Sequence, residues 1–141
     1  MDAQKASVYA EGLLTKLNAK VSTAATTGSY ADYLKAFDFI FKDLCTELFG
    51  IEQHTTSIHV LDLSTIQDLF RDSILTPLAK DLYSKMKAAN KAAAAAADLQ
   101  NLFSSIIEQR DIYGGMVTIN AIAYIYVNAG IPTPPEIKIN K

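Results

Sequence analysis

The feature that most constrains this chain is a stretch of 36 residues, Leu78 to Tyr113, that contains neither glycine nor proline. Six consecutive alanines, Ala92 to Ala97, lie near its centre. Alanine is the strongest helix former, because its side chain has no rotamer freedom to lose and no polar group to bury. The stretch therefore predicts one long helix of roughly 54 Å, at about 1.5 Å per residue. We expect the helix to begin at Thr76-Pro77 and to end at Gly114-Gly115.

The long helix is predicted to carry its own packing seam. Its members recur at alternating steps of four and three residues, which is the spacing of helices that pack lengthwise on one another. They are Leu82, Met86, Ala89, Ala93, Ala96, Gln100, Phe103 and Ile107. Small side chains in the middle of the seam would let a neighbouring helix approach closely.

Hydrophobic spacing and capping residues predict three earlier elements. Residues 3 to about 22 form a first helix, and the loop from Thr23 to Gly28 follows it. Ser29 and Asp32 resemble a capping box, after which apolar residues recur at helical spacing as far as Gly50. Ser64 and Gln67 form a second such pair and open a short helix to about Leu75. Proline permits either a break or a kink at Pro77, so this helix is separate from the long one or continuous with it.

The C-terminal region from Ile112 to Pro135 contains 24 residues and no charge. Met116 to Asn128 is predicted to be a helix ended by Gly130, although its β-branched and aromatic residues also permit a strand. An element with no polar face must be covered by its own fold, by another subunit or by lipid. The segment is too short for a confident membrane span, which needs ~20 apolar residues. Lipid contact by residues 116–128 therefore remains one of the alternatives.

Two shorter segments favour extended structure. Residues 131–141 are predicted to form an extended C-terminal arm, because prolines stiffen its first half and Ile137 and Ile139 alternate with polar residues in its second. The alternation from Glu136 to Lys141 is typical of an edge strand or a docking arm. Ile58 to Leu63 is either a short strand or an extended connector. The predicted fold class is thus all-α: an elongated bundle of four to five helices in a single domain, 1–141.

Charge argues against a dedicated nucleic-acid-binding domain, but it leaves a local basic face open. Fifteen acidic residues outnumber 13 basic ones, and the pI is about 5.6. Lys80, Lys87 and Lys91 nevertheless fall on one face of the predicted long helix, and Lys16 and Lys20 form a similar pair on the first helix. Rows of lysine neutralise phosphates without reading sequence. The plain alternative is a solvated face whose aliphatic stems lie along the helix.

No pattern in the chain indicates catalysis, a metal or a cofactor. The two histidines, His54 and His59, lie near Glu52 and Asp62, but their spacing matches no common ligand pattern. The sequence contains no nucleophile elbow and no glycine-rich phosphate loop. The single cysteine, Cys45, lies in an apolar run and is predicted to be a small buried hydrophobe. We expect a protein that is not an enzyme.

Apolar residues without an obvious intramolecular partner indicate a subunit interface. Phe39 lies among charged residues on the predicted wet face of the second helix. The other candidates come from the charge-free helix and the arm: Ile122, Tyr124, Tyr126, Ile137 and Ile139. When such patches pair head to tail without closing, they produce helical filaments.

In outline, the whole chain resembles the helical-bundle coat proteins of filamentous archaeal viruses. The shared traits are a small helical chain, few charges, a lysine-bearing helix, an apolar charge-free C-terminal helix and proline-containing tails. The resemblance implies subunits that polymerise around DNA, in some members within a lipid envelope. It is architectural and assigns no residue a role.

The sequence therefore predicts a structural subunit that assembles with itself or with a paralogous subunit, and a virion coat protein enclosing nucleic acid is one form of it. Its location would then be the virion, and otherwise the cytoplasm. Two alternatives stay open. One is a soluble adaptor that binds a partner helix in an alanine-lined groove. The other is a carrier for a small apolar ligand, with Tyr124, Tyr126 and Asn120 converging on an enclosed pocket.

Overall fold

The computed structural model describes residues 2–50, 60–90 and 92–137, and every regular element in these ranges is helical. Two π-helical segments join α-helices without a break: Phe39–Leu44 joins Tyr30–Asp38 to Cys45–Phe49, and Phe70–Leu75 joins Val60–Leu69 to Thr76–Ala89. The described ranges therefore hold five continuous helical rods, which confirms the all-α class. The α-helices are α1 (Asp2–Thr27), α2 (Tyr30–Asp38), α3 (Cys45–Phe49), α4 (Val60–Leu69), α5 (Thr76–Ala89), α6 (Ala92–Glu108) and α7 (Gly115–Ala129).

The first helix is longer than the sequence predicts. It continues through the expected loop and ends at Thr27, just before Gly28, whose φ of +64° lies in the left-handed region. No glycine or proline interrupts residues 23–27, so nothing in the backbone stops the helix earlier. The predicted loop from Thr23 to Gly28 is therefore wrong at residues 23–27, and Gly28 alone lies outside the helix.

The start of the second rod is confirmed. Ser29 has extended backbone angles, and its Oγ accepts a hydrogen bond from the backbone N–H of Asp32 at 3.2 Å. The side chain thus satisfies one of the N–H groups that a helix leaves without a partner at its beginning. The rod ends at Phe49, before Gly50, as the sequence predicts.

The third rod begins earlier than predicted. Residues 60–63 already belong to α4, so both the short strand and the extended connector are wrong there, while residues 58 and 59 lie outside the described ranges. Ser64 is consequently inside the helix and caps nothing. Gln67 has a different role, because its Nε2 donates to the carbonyl of Leu48 at 2.7 Å and ties this rod to α3.

The same rod passes through Pro77 without a break, which settles the alternative that the sequence left open. The π-helical segment ends at Leu75, immediately before Thr76-Pro77. Proline has no N–H to donate, so the wider turn lies where one helical hydrogen bond is missing in any case. Within this turn the backbone N–H and the hydroxyl of Thr76 both donate to the carbonyl of Arg71.

The single long alanine-rich helix is the main prediction that the structure overturns. Asn90 is extended, with φ −152° and ψ −177°, and separates α5 from α6. Asparagine is a weaker helix former than the residues around it. The break lets α6 pack against α5, α2 and α7, whereas one straight rod would leave much of its apolar stripe in water.

The break also shifts the packing seam. Leu82, Met86 and Phe103 are buried as predicted, but the predicted Ala89 and Ala93 are exposed. Ala96, Gln100 and Ile107 are half-buried. The buried stripe of α6 consists of Ala95, Leu99, Leu102, Phe103 and Ile106, of which Phe103 alone belongs to the predicted seam. A periodic pattern can be extended only while the helix that carries it is continuous, and here it is not.

Aromatic side chains from three rods meet around Tyr126 at the centre of the core. Its ring centroid lies 5.1 Å from that of Phe41 and 4.8 Å from that of Phe103, and Phe37 stacks on Phe41 at 5.7 Å. All four side chains are fully buried. Tilted aromatic contacts at these distances stabilise a core beyond the area that they bury. They hold α7 in place against α6 and the first π-helical segment.

The chain after α7 packs against the bundle as far as it is described. Gly130, with φ +74°, ends α7, and the following segment lies along α6. Gln100 Nε2 donates to the carbonyl of Thr133 at 3.1 Å, and Ser104 Oγ donates to the Glu136 carboxylate at 2.9 Å. Residues 131–137 contain a turn and no strand. Most of the segment from Glu136 to Lys141, for which an edge strand is one alternative, lies outside the described residues.

Candidate subunit interface

Helix α7 is amphipathic in its packing although it carries no charge. The prediction of a helix is confirmed, and the strand alternative is wrong. Its inner face is buried against α3, α5 and α6. The buried residues are Thr118, Ile119, Ala121, Ile122, Ile125, Tyr126 and Ala129. The fold therefore covers one side of this apolar helix and leaves the other side to water.

The outer side of α7 carries large apolar side chains that the other described residues leave exposed. Met116 is 57% exposed, Val117 62%, Tyr124 41% and Val127 48%. Asn120 is also exposed on this side. We call Val117, Asn120, Tyr124 and Val127 the outer seam of α7, because they recur along the helix at steps of three, four and three residues.

The N-terminus of α7 is fixed by a close backbone contact. Gly114 has φ +98°, and a Cβ built on it would lie 2.6 Å from Gly50 Cα and would overlap the Oγ1 of Thr118. Thr118 is fully buried, and its Oγ1 has no hydrogen-bond partner among the described residues. Thr46 Oγ1 donates to the carbonyl of Tyr113 at 3.2 Å beside this contact. The end of α3 and the start of α7 are thus locked together, with no room for a ligand between them.

A charged cluster borders the outer seam on one side. The Arg71 guanidinium lies 4.1 Å from the centre of the Tyr124 ring and donates to both carboxylate oxygens of Asp72, at 2.8 and 3.2 Å. Asp68 lies 3.6 Å from the same guanidinium. The hydrogen bond from Arg71 lowers the pKa of Asp72 below its ordinary value and raises that of Arg71. Because its charges are already paired, the cluster steadies Tyr124 without adding an unpaired charge to the seam.

Two of the predicted interface residues on α7 are wrong, because they point into the core. Ile122 and Tyr126 are both fully buried, and the Tyr126 hydroxyl donates to the carbonyl of Leu99 at 2.7 Å. Burial raises the pKa of Tyr126 above its ordinary value. Tyr124 and Asn120 face outward, so they do not converge with Tyr126 on an enclosed pocket. The carrier alternative loses the residues on which it depended.

The remaining interface candidates are half-buried or not described. Phe39 is half-buried and packs against the core, and Lys20 Nζ lies 5.9 Å from the centre of its ring, so it is not the isolated exposed ring that the sequence predicts. Ile137 also packs against the core. Ile139 lies outside the described residues.

Lysines at the first predicted basic site have acidic neighbours. Lys16 Nζ lies 2.8 Å from a carboxylate oxygen of Glu47. Lys20 Nζ lies 5.9 Å from the centre of the Phe39 ring, in a groove between α1 and α2. Lys35 and three carboxylates also line this groove: Asp32, Asp38 and Asp43. The carboxylates offset the positive potential that a phosphate would need.

The second predicted basic site is less neutralised. Lys80 and Lys87 are exposed on one face of α5, and no carboxylate among the described residues lies within ion-pair distance of either. Lys87 Nζ lies 4.4 Å from the centre of the Tyr83 ring. Asp81 pairs with Lys85 at 3.0 Å instead. Lys91 lies outside the described residues, so the row is described at two of its three positions.

Across the described residues, no group of three His, Cys, Asp or Glu side chains is arranged to hold a metal ion. Both histidines lie in the undescribed range 51–59. None of the helices in the described ranges is both long and apolar enough to cross a membrane.

On α7, the exposed apolar residues that the sequence did not single out are Met116, Val117 and Val127. For Val117 and Val127 the signal was present as the 3-4-3 spacing within the apolar segment. In a helix that is apolar all round, however, several such stripes coexist, and only packing shows which one is left outside. Arg71 was missed because its contact with Tyr124 joins residues that are far apart in the sequence.

Comparison of the chain with protein-family models, with curated proteins and with solved structures finds no match in any of the three.

Proposed function

We propose that this chain is a structural subunit that self-assembles into a polymer, with the outer seam of α7 as one of its contact surfaces. The observation that carries the proposal is the exposed apolar side of α7 within a 24-residue stretch that contains no charge. Contiguous exposed apolar surface on a soluble domain marks an interaction site. All other described α-helices of ten or more residues place charged residues on their exposed faces.

The coat-protein form of the proposal adds nucleic acid to the assembly. Its support is the architectural resemblance to coat proteins of filamentous archaeal viruses together with the row of Lys80 and Lys87 on α5. Because neither lysine has a carboxylate partner among the described residues, both are free to approach phosphates. Lys16 and Lys20 contribute less, since Glu47 and the carboxylates of the α1–α2 groove already face them.

The experiment compares two valine substitutions that add the same charge at equal exposure. Val117, on the outer seam, is 62% exposed, and Val8, on α1, is 64% exposed. We expect the natural protein to scatter light as particles much heavier than 15.4 kDa, with a mass that rises with concentration. Val117→Lys is expected to weaken assembly at least tenfold, because it buries an unpaired ammonium group, and Val8→Lys is expected to leave assembly unchanged.

Two results would contradict the proposal. A natural protein that remains a monomer at millimolar concentration would show that the chain does not polymerise. Equal loss of assembly in both lysine variants would remove α7 from the contact. Electron micrographs of the same samples distinguish ordered filaments from amorphous aggregates.

The nucleic-acid part is tested on the same particles with duplex DNA at several salt concentrations. Lys80→Gln/Lys87→Gln is expected to reduce the slope of log K against log salt by up to about 2, since each phosphate contact contributes about 0.9. Lys16→Gln/Lys20→Gln is the matched control and should change the slope less. An unchanged slope in the α5 variant would exclude these two lysines as phosphate contacts.

A further inference from the structure

The backbone break at Asn90 is opposed by the sequence around it. Asn90 is extended and lies between Ala88-Ala89 on one side and the six alanines Ala92 to Ala97 on the other. Asparagine lowers helix stability only modestly, whereas alanine is the strongest helix former. A break also ends two helices, which leaves carbonyl groups of one and N–H groups of the other without helical partners. Local chemistry therefore favours a continuous helix, and contacts elsewhere hold α6 against the bundle.

The chain on the two sides of the break forms two units, each with its own internal contacts. We call residues 92–137 the C-terminal unit and the described residues before the break the N-terminal unit. In the C-terminal unit, the Tyr126 hydroxyl donates to the carbonyl of Leu99 at 2.7 Å, and Gln100 Nε2 donates to the carbonyl of Thr133 at 3.1 Å. In the N-terminal unit, α1 packs against α2 and α4, and α2 packs against α5. Each unit is therefore able to move as one piece about the break.

The surface between the two units belongs to the hydrophobic core. Helix α7 meets α3, α5 and the second π-helical segment, and α6 meets α2 and α5. The Phe41 ring centroid lies 5.1 Å from that of Tyr126 across this surface, and both side chains are fully buried. The Tyr30 hydroxyl crosses it as well, donating to the Asp98 carboxylate at 2.5 Å. A surface that resembles a domain core cut in half is the kind that obligate dimers bury.

We propose that two copies of this chain exchange their C-terminal units. In the exchanged dimer, Asn90 is helical and acts as the hinge, and α5 and α6 join into one rod. Each C-terminal unit occupies on the partner subunit the place that it occupies on its own chain in the monomer. The rod from Thr76 to Glu108 is roughly 50 Å long, at about 1.5 Å per residue. The inference goes beyond the proposed function, because this contact does not use the outer seam of α7.

A second copy removes the conflict between local sequence and packing. In the monomer, the break brings Ala95, Leu99 and Phe103 to the core, whereas a continuous rod on its own would leave them in water. In the exchanged dimer the rod is continuous, and the same side chains make the same contacts on the partner subunit. Exchange of an identical element needs no new complementary surface, so it is a low-cost route to a dimer. The two states then differ at the hinge and in the entropy of joining two chains.

The first test varies the helix propensity of the hinge. Asn90→Ala and Asn90→Gly remove the same amide group, and both are made in the Val117→Lys background, so that assembly through the outer seam does not obscure a dimer. The proteins are refolded from urea at high concentration, and size-exclusion chromatography with light scattering measures monomer and dimer. We expect the dimer dissociation constant to be about 25-fold lower for the alanine variant, because alanine favours the helix over glycine about fivefold at each of two hinges.

The second test shows whether the units are exchanged within the dimer. Tyr30→Lys, added to the alanine variant, places an amine of similar reach beside Asp98 of the other unit, and a carbodiimide couples an amine to a neighbouring carboxylate. We expect chains linked in pairs from the dimer fraction and only internally linked chains from the monomer fraction. The alanine variant that keeps Tyr30 is the control, because every ion pair among the described residues lies within the N-terminal unit.

Three outcomes would overturn the inference. Two hinge variants that stay monomeric at every concentration would show that the units do not exchange. Equal dimer dissociation constants would show that the hinge does not become helical. A dimer in which Tyr30→Lys links no more chains in pairs than the control does would be held by surface contacts instead. Each result leaves the proposed function intact, because assembly through α7 is measured on Val117→Lys and Val8→Lys proteins that keep Asn90.

Discussion

Glycines in this chain differ in what surrounds them, and the surroundings decide what each one does. Gly114 lies against Gly50 and Thr118, where a side chain has no room. Gly115 also has a positive φ, +72°, but no heavy atom lies within 4 Å of the position of its Cβ. Gly12 lies inside α1 with open space around it, so it does not mark the close contact that a glycine within a helix suggests. The three positions separate the effect of packing from the effect of backbone conformation.

At residue scale, we predict that alanine acts differently at these three glycines. Gly114→Ala should lower the free energy of unfolding by about 3 kcal/mol, because overlap with Thr118 and Gly50 adds to the left-handed strain. Gly115→Ala should lower it by about 1–2 kcal/mol through the strain alone. Gly12→Ala should raise it by about 0.5–1 kcal/mol, since alanine favours the helix. Urea denaturation of the three variants measures all three changes.

The prediction depends on the order of the three changes. Equal losses at Gly114 and Gly115 would show that the contact between α3 and α7 relaxes at little cost. The buried aromatic cluster around Tyr126 would then be what holds α7 in place.

At the scale of single elements, two serines with the same sequence signature lie in different structural positions. Ser29 stands before α2 and accepts a hydrogen bond from the backbone N–H of Asp32. Ser64 stands inside α4, because the helix begins at Val60. A capping motif shows where a helix is able to start, but a helix that is already continuous passes through it.

We predict that removal of the Ser29 hydroxyl lowers the free energy of unfolding and that removal of the Ser64 hydroxyl does not. Ser29→Ala should lower the free energy of unfolding by about 1 kcal/mol, because the first turn of α2 loses its side-chain acceptor. Ser64→Ala should change it little or raise it by up to about 0.5 kcal/mol, since alanine is the better helix former. Thermal unfolding followed by circular dichroism checks both variants. A loss at Ser64 as large as that at Ser29 would place a helix start at Ser64 after all.

At the scale of the whole molecule, one cysteine thiol and three tyrosine hydroxyls make the free energy of unfolding depend on pH in the alkaline range. Burial raises the pKa of Cys45 above its ordinary value of 9.0, and it raises those of Tyr9 and Tyr126 above 10.0. Burial and a 2.5 Å hydrogen bond to Asp98 raise the pKa of Tyr30 to about 12. In each case the folded state holds its proton more tightly than the unfolded state does.

We therefore predict that the contribution of these groups to the free energy of unfolding is fully present below pH 9. It is lost progressively as the pH rises above 9. Unfolded Cys45 ionises first, and the unfolded tyrosines follow near pH 10, while the folded state keeps its protons, so unfolding becomes more favourable. The urea midpoint should fall between pH 9 and pH 12. Tyr30→Phe should make the fall between pH 10 and pH 12 less steep, and a midpoint that does not change over this range would contradict the assignment.

Much of the fold follows from local chemistry. Apolar spacing, the Ser29 cap and the glycines at positions 50 and 130 predicted the all-α class, the second rod and the position of α7. Each of these signals acts on a few neighbouring residues, so the sequence presents it directly. The break at Asn90 was missed because local propensity favours a continuous helix there. Packing of α6 against α5 and α2 outweighs that preference.

The surface of α7 likewise depends partly on local properties of the sequence and partly on tertiary contacts. The sequence by itself determined that residues 112–135 are apolar, uncharged and partly helical, because composition and spacing are local properties. Only the tertiary structure decided which side of α7 faces the core, since that choice depends on Phe41, Phe103 and Gly50, which lie far away in the chain. Those distant contacts bury Ile122 and Tyr126 and leave Val117, Tyr124 and Val127 in water.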